Sequence, residues 1–193
     1  SSSCPTAIIT HQLSPIPWTS CPALIRHVVS WGIARLLSKF NFCIVPDFPD
    51  HRLAGSLSTA SCRVKSRLFY VGPLSRYAAY KVKNAPLDIY SLHIITGPRK
   101  TRREYESSLN APLTQTLTTH DAPSVLIGGI DNNNPNYNCY PNASAPEIAH
   151  FIQRAQHVYS HSGYTTIMDL YILNALDRAV LTPTKGQAEQ VYL

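Results

Sequence analysis

Long apolar runs are missing from this chain of 193 residues: the longest candidate, residues 24–37, is interrupted by Arg26, His27 and Arg35. A membrane-spanning helix needs about 20 consecutive apolar residues, so the sequence predicts none. The 8 glycines and 15 prolines follow no short repeat, which excludes collagen, coiled-coil and solenoid proteins. The 5 cysteines are scattered and none belongs to a CxxC pair, so neither a disulfide framework nor a zinc ribbon is expected, and a reducing compartment is favoured.

Several sequence signatures of known chemistry are also missing. There is no HxxxH, no HExxH and no cluster of Cys and His, so no protein metal site and no metal cofactor are expected. The absence of GxSxG argues against the nucleophile elbow of a hydrolase. Without GxGxxG or GxxxxGK(S/T), a standard NAD site and a P-loop are not expected either.

The composition is that of a globular, basic protein. Hydrophobic residues make up 44% of the chain and charged residues 15%, which is enough to bury a core and excludes wholesale disorder. The net charge of +6 gives a surface that favours phosphates or anionic lipid. The basic residues are not interleaved with aromatic residues along one stretch, so nucleic acid is not expected as a partner.

Short β-branched segments alternate with helical patterns along most of the chain. Several of these segments are almost continuously apolar, which is typical of buried parallel strands. The alternation predicts an α/β fold with a doubly wound parallel sheet, in which ligands bind outside the carboxyl ends of the strands. Strands are predicted at residues 7–10, 42–45, 68–71, 88–95, 124–127, 157–160 and 178–182, and helices at 23–40, 99–110, 146–155 and 164–175.

Two segments and the chain ends do not fit this alternation. Residues 46–67 have weak periodicity and are predicted to be a connection. Residues 131–142, with the sequence DNNNPNYNCYPN, are predicted to be an irregular loop, either a substrate-side flap or a tolerated surface insertion. The chain begins without Met or a targeting signal and ends inside a helical pattern, so it is expected to be a piece of a longer protein.

Two of the predicted strand–helix junctions have glycines next to groups that suit an anion. Gly97 precedes a helix that begins with the basic residues 99–103. Cations oppose the helix dipole there, and an anionic ligand would relieve the conflict; the alternative is a solvated basic turn. Gly128 and Gly129 follow the next strand, where they either let the backbone approach a ligand closely or form a tight turn.

The third junction is the richest in hydroxyl groups. At a helix start such as the one after Gly163, the free backbone amides and the nearby hydroxyls point toward the same position in front of the helix. Asp169 lies six residues after Gly163, where its carboxylate could accept hydrogen bonds from ribose hydroxyls or simply favour the helix N-terminus. Further along, Gln187, Glu189 and Gln190 offer amide and carboxylate groups to sugar hydroxyls. The residues of the junction itself are Ser162, Gly163, Tyr164, Thr165 and Thr166.

Taken together, these residues resemble the carboxyl-terminal signature of glycosyltransferases with two facing Rossmann-like domains, the GT-B fold. The run SHSGYTTIMDLYILNALDRAVLTPTKGQAEQVYL resembles the donor domain of family 28-like bacterial transferases, which add N-acetylglucosamine to a lipid-linked peptidoglycan precursor. Upstream, the segments IITHQL, CIVPDFPDHRLAGSLS, YVGPLSRY and TGPRKTRREYE resemble further parts of the same family in consistent order.

The resemblance implies a Rossmann-like parallel sheet that forms the C-terminal half of a GT-B enzyme. Residues 1–70 would be the tail of the acceptor domain with the interdomain linker, and residues 71–193 a donor-binding domain truncated at its C-terminal end. The implied activity is the transfer of a hexosyl or N-acetylhexosaminyl group from a UDP-sugar to a glycan or lipid-linked acceptor, without a cofactor or metal. The implied location is the cytoplasm, peripheral at the inner face of the cell-envelope membrane.

The resemblance also implies roles for individual residues. Arg76 and Arg102 would offset the diphosphate charge, Asp169 would hold the ribose, and His11 would position the acceptor or act as a base. Gln187, Glu189 and Gln190 would hold the sugar. The implied donor-binding residues are Arg76, Gly97, Arg102, Gly128, Gly129, Ser162, Gly163, Tyr164, Thr165, Thr166, Asp169, Gln187, Glu189 and Gln190.

Departures from the family pattern keep two alternatives open. His161 stands where the family often has a basic residue that binds phosphate more reliably, and Arg99 and Lys100 replace an acidic residue and a proline. One alternative is a catalytically incomplete subunit that binds a nucleotide-sugar and needs a partner chain. The other is a nucleotide-sugar epimerase on the same fold.

The first predicted helix carries an apolar stripe flanked by Arg26, Arg35 and Lys39. Such a stripe is expected to face the core, with the basic side chains extending to solvent. The alternative is a helix that lies on anionic lipid. The stripe consists of Ile25, Val28, Val29, Ile33, Leu36, Leu37 and Phe40.

Overall fold

The chain divides into two compact units. The computed structural model describes residues 4–15, 22–109, 122–129, 136–184 and 187–193. The first unit comprises residues 1–74 together with 192–193, and the second comprises residues 75–191. The sequence had predicted a boundary between residues 70 and 71.

The first unit is built on a small parallel sheet. Its strands are ordered β1-β2-β3, with Ala7 opposite Phe42 and Phe42 opposite Arg67. A core of Leu13, Leu37, Cys43 and Val45 fills the space beside it. The elements are β1 (Ala7–Ile9), α1 (Ala23–Leu37), β2 (Phe42–Val45) and β3 (Arg67–Tyr70).

Helix α1 contacts this core only through its C-terminal part, so the prediction of a core-facing stripe is wrong for most of its length. Leu37 is buried and Ile33 packs beside it. Ile25 and Val28 are 49% and 58% exposed, and Val29 and Leu36 are exposed as well. Across the described residues, every helix is too short or too polar to pass through a bilayer.

The segment after β2, predicted only as a connection, is organised around the fully buried carboxylate of Asp47. This carboxylate accepts hydrogen bonds from the backbone amides of Phe48, Leu53 and Ala54 and from the hydroxyl of Ser58. A buried carboxylate is tolerated only when its oxygens are satisfied in this way. Asp47 therefore sets the path of residues 47–58, which ends in a 3₁₀ turn.

The second unit carries a larger parallel sheet with the strand order β6-β5-β4-β7-β8. In chain order within the unit this is 3-2-1-4-5, the order of the first five strands of a Rossmann fold. The predicted doubly wound α/β class is confirmed. The elements are β4 (Ile89–Ile94), α2 (Arg99–Leu109), β5 (Ser124–Ile127), β6 (Asn138–Tyr140), α3 (Ala145–Arg154), β7 (Ala155–His161), α4 (Tyr164–Ile172), β8 (Ala179–Thr182) and α5 (Ala188–Tyr192).

Helices cover both faces of this sheet, as the alternation of side chains along β5 shows. Val125 and Ile127 belong to the large core, which includes residues of α3 and α4. Leu126, between them, packs with Leu109 of α2 and with Ile95. Because successive strand residues point to opposite faces, α2 lies on one side of the sheet and α3 and α4 lie on the other.

Strand β6 was not predicted, since residues 131–142 were expected to be irregular. Asn138, Cys139 and Tyr140 pair in parallel with β5 at the edge of the sheet. Only Cys139 of the three is half-buried and packs on the core, while its two neighbours are exposed. An edge strand with one inward residue has too little apolar pattern to be recognised from sequence. Residues 131–135 lie outside the described part of the chain.

Candidate functional site

The candidate site lies at one edge of the second sheet. All its strands are parallel, so the turns after β4, β5, β7 and β8 emerge at the same edge. These turns carry Gly97, Gly129, Gly163 and Gln187. β4 and β7 are neighbours at the point where the strand order reverses, which is where sheets of this type bind ligands.

Gly97, in the turn after β4, borders open space. Its φ is +99°, and a Cβ added there would meet no heavy atom of the described residues within 4 Å. The turn is exposed and leads directly into α2, whose Arg99, Lys100 and Arg103 are exposed too. The backbone at Gly97 is therefore accessible to a ligand beside a cluster of cations.

Gly128, in the turn after β5, is in a crowded position instead. Its φ is +76°, and a Cβ there would lie 2.3 Å from the carbonyl oxygen of Ile95. At Gly129 a Cβ would come within 2.5 Å of the Glu106 carboxylate. The space beside both glycines is occupied by the protein itself, so the packing of two turns against each other and against α2 accounts for this pair.

Arg102 connects α2 to the turn after β5. Its Nη1 donates to the carbonyl oxygen of Gly128 at 3.3 Å. Its Nε is buried and has no hydrogen-bond partner among the described residues. A buried N–H of a guanidinium without an acceptor is costly, and an anion at this edge of the sheet would supply one.

The turn after β7 forms an uncapped helix N-terminus. Gly163 is the N-cap of the nine-residue helix α4; none of the described side chains caps the helix, and its first turn contains no acidic residue. Tyr164 is buried, Thr166 is half-buried and Thr165 is exposed. Helix N-termini concentrate unpaired amides and positive potential, so this one suits a phosphate.

The structure brings the predicted glutamines together with Ser162. The hydroxyl of Ser162 donates to the carbonyl oxygen of Gln190 at 2.8 Å. The side chain of Gln190 accepts from the amide of Thr184 at 2.7 Å and donates to the side chain of Gln187. Gln187 is exposed and Glu189 is half-buried. The turn after β8 and α5 are thereby fastened to the turn after β7.

Asp169, in the second turn of α4, is held by a residue that the sequence did not single out. Ser75 donates from its hydroxyl to Oδ1 of Asp169 at 2.5 Å. Partial burial raises the pKa of this carboxyl, while Ser75 and the charge of Arg76 act in the opposite direction. Arg76 donates to the Tyr77 hydroxyl at 2.7 Å and lies over the ring of that tyrosine. The position of Ser75 beside Arg76 in YVGPLSRY was the available signal.

His161 is the last residue of β7 and therefore lies at the edge of the second sheet that carries the candidate site. Its Nδ1 is 3.2 Å from the carbonyl oxygen of Thr182, and its Nε2 is buried without a partner in the described chain. The ring is edge-on to Tyr105 of α2 at 5.4 Å between centroids. His11, the predicted catalytic residue, follows β1 in the first unit and is half-buried.

No group of three or more His, Cys, Asp and Glu side chains that could hold a metal occurs within the described residues. The arrangement offers a helix N-terminus, guanidinium groups and a fixed carboxylate at one edge of the second sheet. No protein-family model, no curated protein and no solved structure matches the chain.

Proposed function

We propose that the second unit binds the diphosphate of a nucleotide-sugar and that the chain is the donor-binding part of a glycosyltransferase. The observation that carries the proposal is the strand order 3-2-1-4-5, with the turns after β4 and β7 on either side of the reversal. Sheets of this type bind nucleotides outside the carboxyl ends of their strands at that point. The resemblance of the sequence to GT-B donor domains supports the choice of a UDP-sugar.

In this proposal the diphosphate lies between the N-terminus of α4 and the turn at Gly97. The amides at Gly163 would face one phosphate, and Arg102, whose Nε has no acceptor in the described part of the chain, would face the other. Arg76 adds a second guanidinium on the side of Asp169. Charge that develops on the departing UDP would be balanced by groups already fixed in place, which is the most effective form of electrostatic catalysis.

The remaining predicted residues would hold the sugar parts of the donor. Asp169 would accept hydrogen bonds from ribose hydroxyls, with Ser75 fixing its orientation. Gln187 and Glu189 would bind the hexose, whereas the side chain of Gln190 is engaged in holding the turn after β8. In the transfer itself, the acceptor hydroxyl would attack the anomeric carbon, the bond from that carbon to UDP would break, and a general base would take the hydroxyl proton.

Binding of UDP to the purified chain tests this proposal. We expect titration calorimetry to give a dissociation constant below about 1 mM, and Asp169→Asn to weaken it about tenfold, because a neutral amide accepts less strongly from ribose hydroxyls. Asp177→Asn, an exposed carboxylate of the same unit, is the matched control and should leave affinity unchanged. Absence of heat at millimolar UDP, or equal effects of the two variants, would contradict the proposal.

A lipid-linked acceptor is the part of the proposal that rests on α1. The exposed Ile25 and Val28 share this helix with a basic groove of about 780 Å³. Trp31 and Arg35 line the groove in mutual contact, 5.5 Å from guanidinium carbon to ring centroid. Exposed apolar residues beside cations are typical of helices that lie in a membrane interface. His27, Lys39, Arg63 and Lys65 also line it.

Vesicle flotation tests this membrane contact. We expect the chain to float with vesicles rich in phosphatidylglycerol several times more than with phosphatidylcholine alone, because each basic residue near an anionic surface contributes about 1 kcal/mol. Replacing Ile25 and Val28 by Ser should reduce flotation, while Val180→Ser, an equally exposed change in the second unit, should not. Flotation that is indifferent to anionic lipid would remove the membrane contact from the proposal.

A further inference from the structure

A cavity of about 280 Å³ lies on the face of the second sheet that α2 covers. It extends along the strands, away from the turns of the candidate site, and reaches the edge that carries those turns at Thr182, the last residue of β8. The sheet supplies Ser91, His93, Ser124 and Tyr159 to its wall, and α2 supplies Tyr105. Tyr137 closes another side. Neither the fold nor the proposed donor site requires a space here.

The wall of this cavity is mostly aromatic. The ring of His93 is stacked on Tyr159, with centroids 4.7 Å apart and planes 9° from parallel. Tyr137 meets the edge of the same imidazole at 5.2 Å, and Tyr105 meets it at 6.3 Å. Aromatic rings attract one another in stacked and edge-to-face arrangements. The cavity therefore presents both ring faces and ring edges to an occupant.

The described part of the wall is polar and carries no charged side chain. Ser91 donates to Ser124 at 2.8 Å, and the tyrosines add phenol groups. Burial lowers the pKa of His93 to about 4 and raises that of Tyr105 to about 12, so both are neutral at pH 7. No Asp, Glu, Lys or Arg is among the described lining residues. An ion that entered the cavity would lose its hydration without gaining a counter-charge. The polar atoms of a neutral ring could instead exchange their hydrogen bonds with water for hydrogen bonds with the serine and tyrosine hydroxyls.

We propose that this cavity binds a flat, uncharged heteroaromatic molecule of about two fused rings, held by ring contacts with Tyr105, Tyr137 and Tyr159. The size follows from the volume, since an apolar cavity of about 150 Å³ accommodates one benzene ring. Drug-sized ligands occupy pockets of about 300–1,000 Å³, so a complete nucleotide is too large for the space. The inference does not depend on the donor site.

Indole and indole-3-carboxylate provide a matched pair of probes, because the second differs from the first by one negative charge. We expect indole to bind the chain with a dissociation constant below about 1 mM, and the carboxylate to bind at least about tenfold more weakly. In nuclear Overhauser spectra of the unmodified protein, we expect cross-peaks between indole protons and the ring protons of Tyr105, Tyr137 and Tyr159. Equal affinity for the two probes, or contacts elsewhere on the chain, would overturn the proposal.

Two serines of α2 allow a matched pair of variants. Ser108 lines the cavity and Ser107 does not; both are exposed, and each hydroxyl donates to a backbone carbonyl of the preceding turn. Ser108→Trp should fill the cavity and reduce indole affinity more than tenfold, and Ser107→Trp should leave it unchanged. Saturating UDP should not displace indole. Displacement by UDP would assign the cavity to the donor and overturn the proposal of a separate ligand.

Discussion

Gly128→Ala is expected to destabilise the second unit by about 4 kcal/mol, the largest effect of a single methyl group that we anticipate. Two costs add at this position. An alanine at a φ of +76° is strained, and its Cβ would lie 2.3 Å from the backbone oxygen of Ile95, which cannot move without displacing the turn after β4. Urea unfolding followed by near-ultraviolet circular dichroism of tyrosine measures this, since most of the 11 tyrosines belong to the second unit.

Gly97→Ala is the matched control for this prediction. Its φ of +99° is also unfavourable for alanine, but a Cβ would meet none of the atoms that the structure describes within 4 Å. We expect a cost of about 1–2 kcal/mol, from backbone strain alone. If the two variants lost the same stability, the close packing of the turns after β4 and β5 would not be real, and Gly128 would again be available for contact with a ligand.

The second large effect is a loss of stability on acidification caused by His93. Burial lowers the pKa of this imidazole from 6.5 to about 4. Between these values the unfolded chain binds a proton that the folded chain does not, so stability is highest above pH 6.5 and falls as the pH decreases toward 4. Because unfolding at pH 5 lets His93 take up one proton, we expect the free energy of unfolding of the second unit to be about 2 kcal/mol lower at pH 5 than at pH 7.

His93→Phe separates this contribution from those of the other histidines. Phenylalanine preserves the ring stacked on Tyr159 but cannot be protonated. Urea titrations of both proteins at pH 5 and pH 7 should show that the variant lacks about 2 kcal/mol of the pH dependence of the wild-type chain. Equal pH dependence in the two proteins would mean that His93 is hydrated rather than buried under α2.

Local sequence patterns were sufficient for most of the elements. The apolar runs of β2 and β5 were predicted with their observed bounds, because a buried parallel strand must be apolar on both faces. Strand β6 and the turn around Asp47 were missed for one reason. Strand β6 depends on its pairing with β5, and the turn depends on hydrogen bonds from backbone amides to Asp47. Neither kind of contact produces a periodic pattern of apolar residues in the sequence.

The candidate site was predictable as a set of residues but not as an arrangement. The residues after each strand were predicted to be an anion-binding set from their chemistry, and their common edge follows from the parallel sheet. Sequence reasoning assigned the same role to Gly97 and Gly128, although the first borders open space and the second borders Ile95. Only the tertiary structure distinguishes a glycine that borders open space from a glycine that borders a neighbouring turn.

The sequence by itself determined the α/β class, the positions of the main strands and the chemical character of the turns, because each is encoded in residues close together along the chain. The tertiary structure decided the strand order, the hydrogen bond from Ser75 to Asp169 and the aromatic cavity around His93. These depend on pairs such as residues 75 and 169, which are 94 positions apart. Contacts at such separations follow from how the sheet assembles, and no local pattern specifies them.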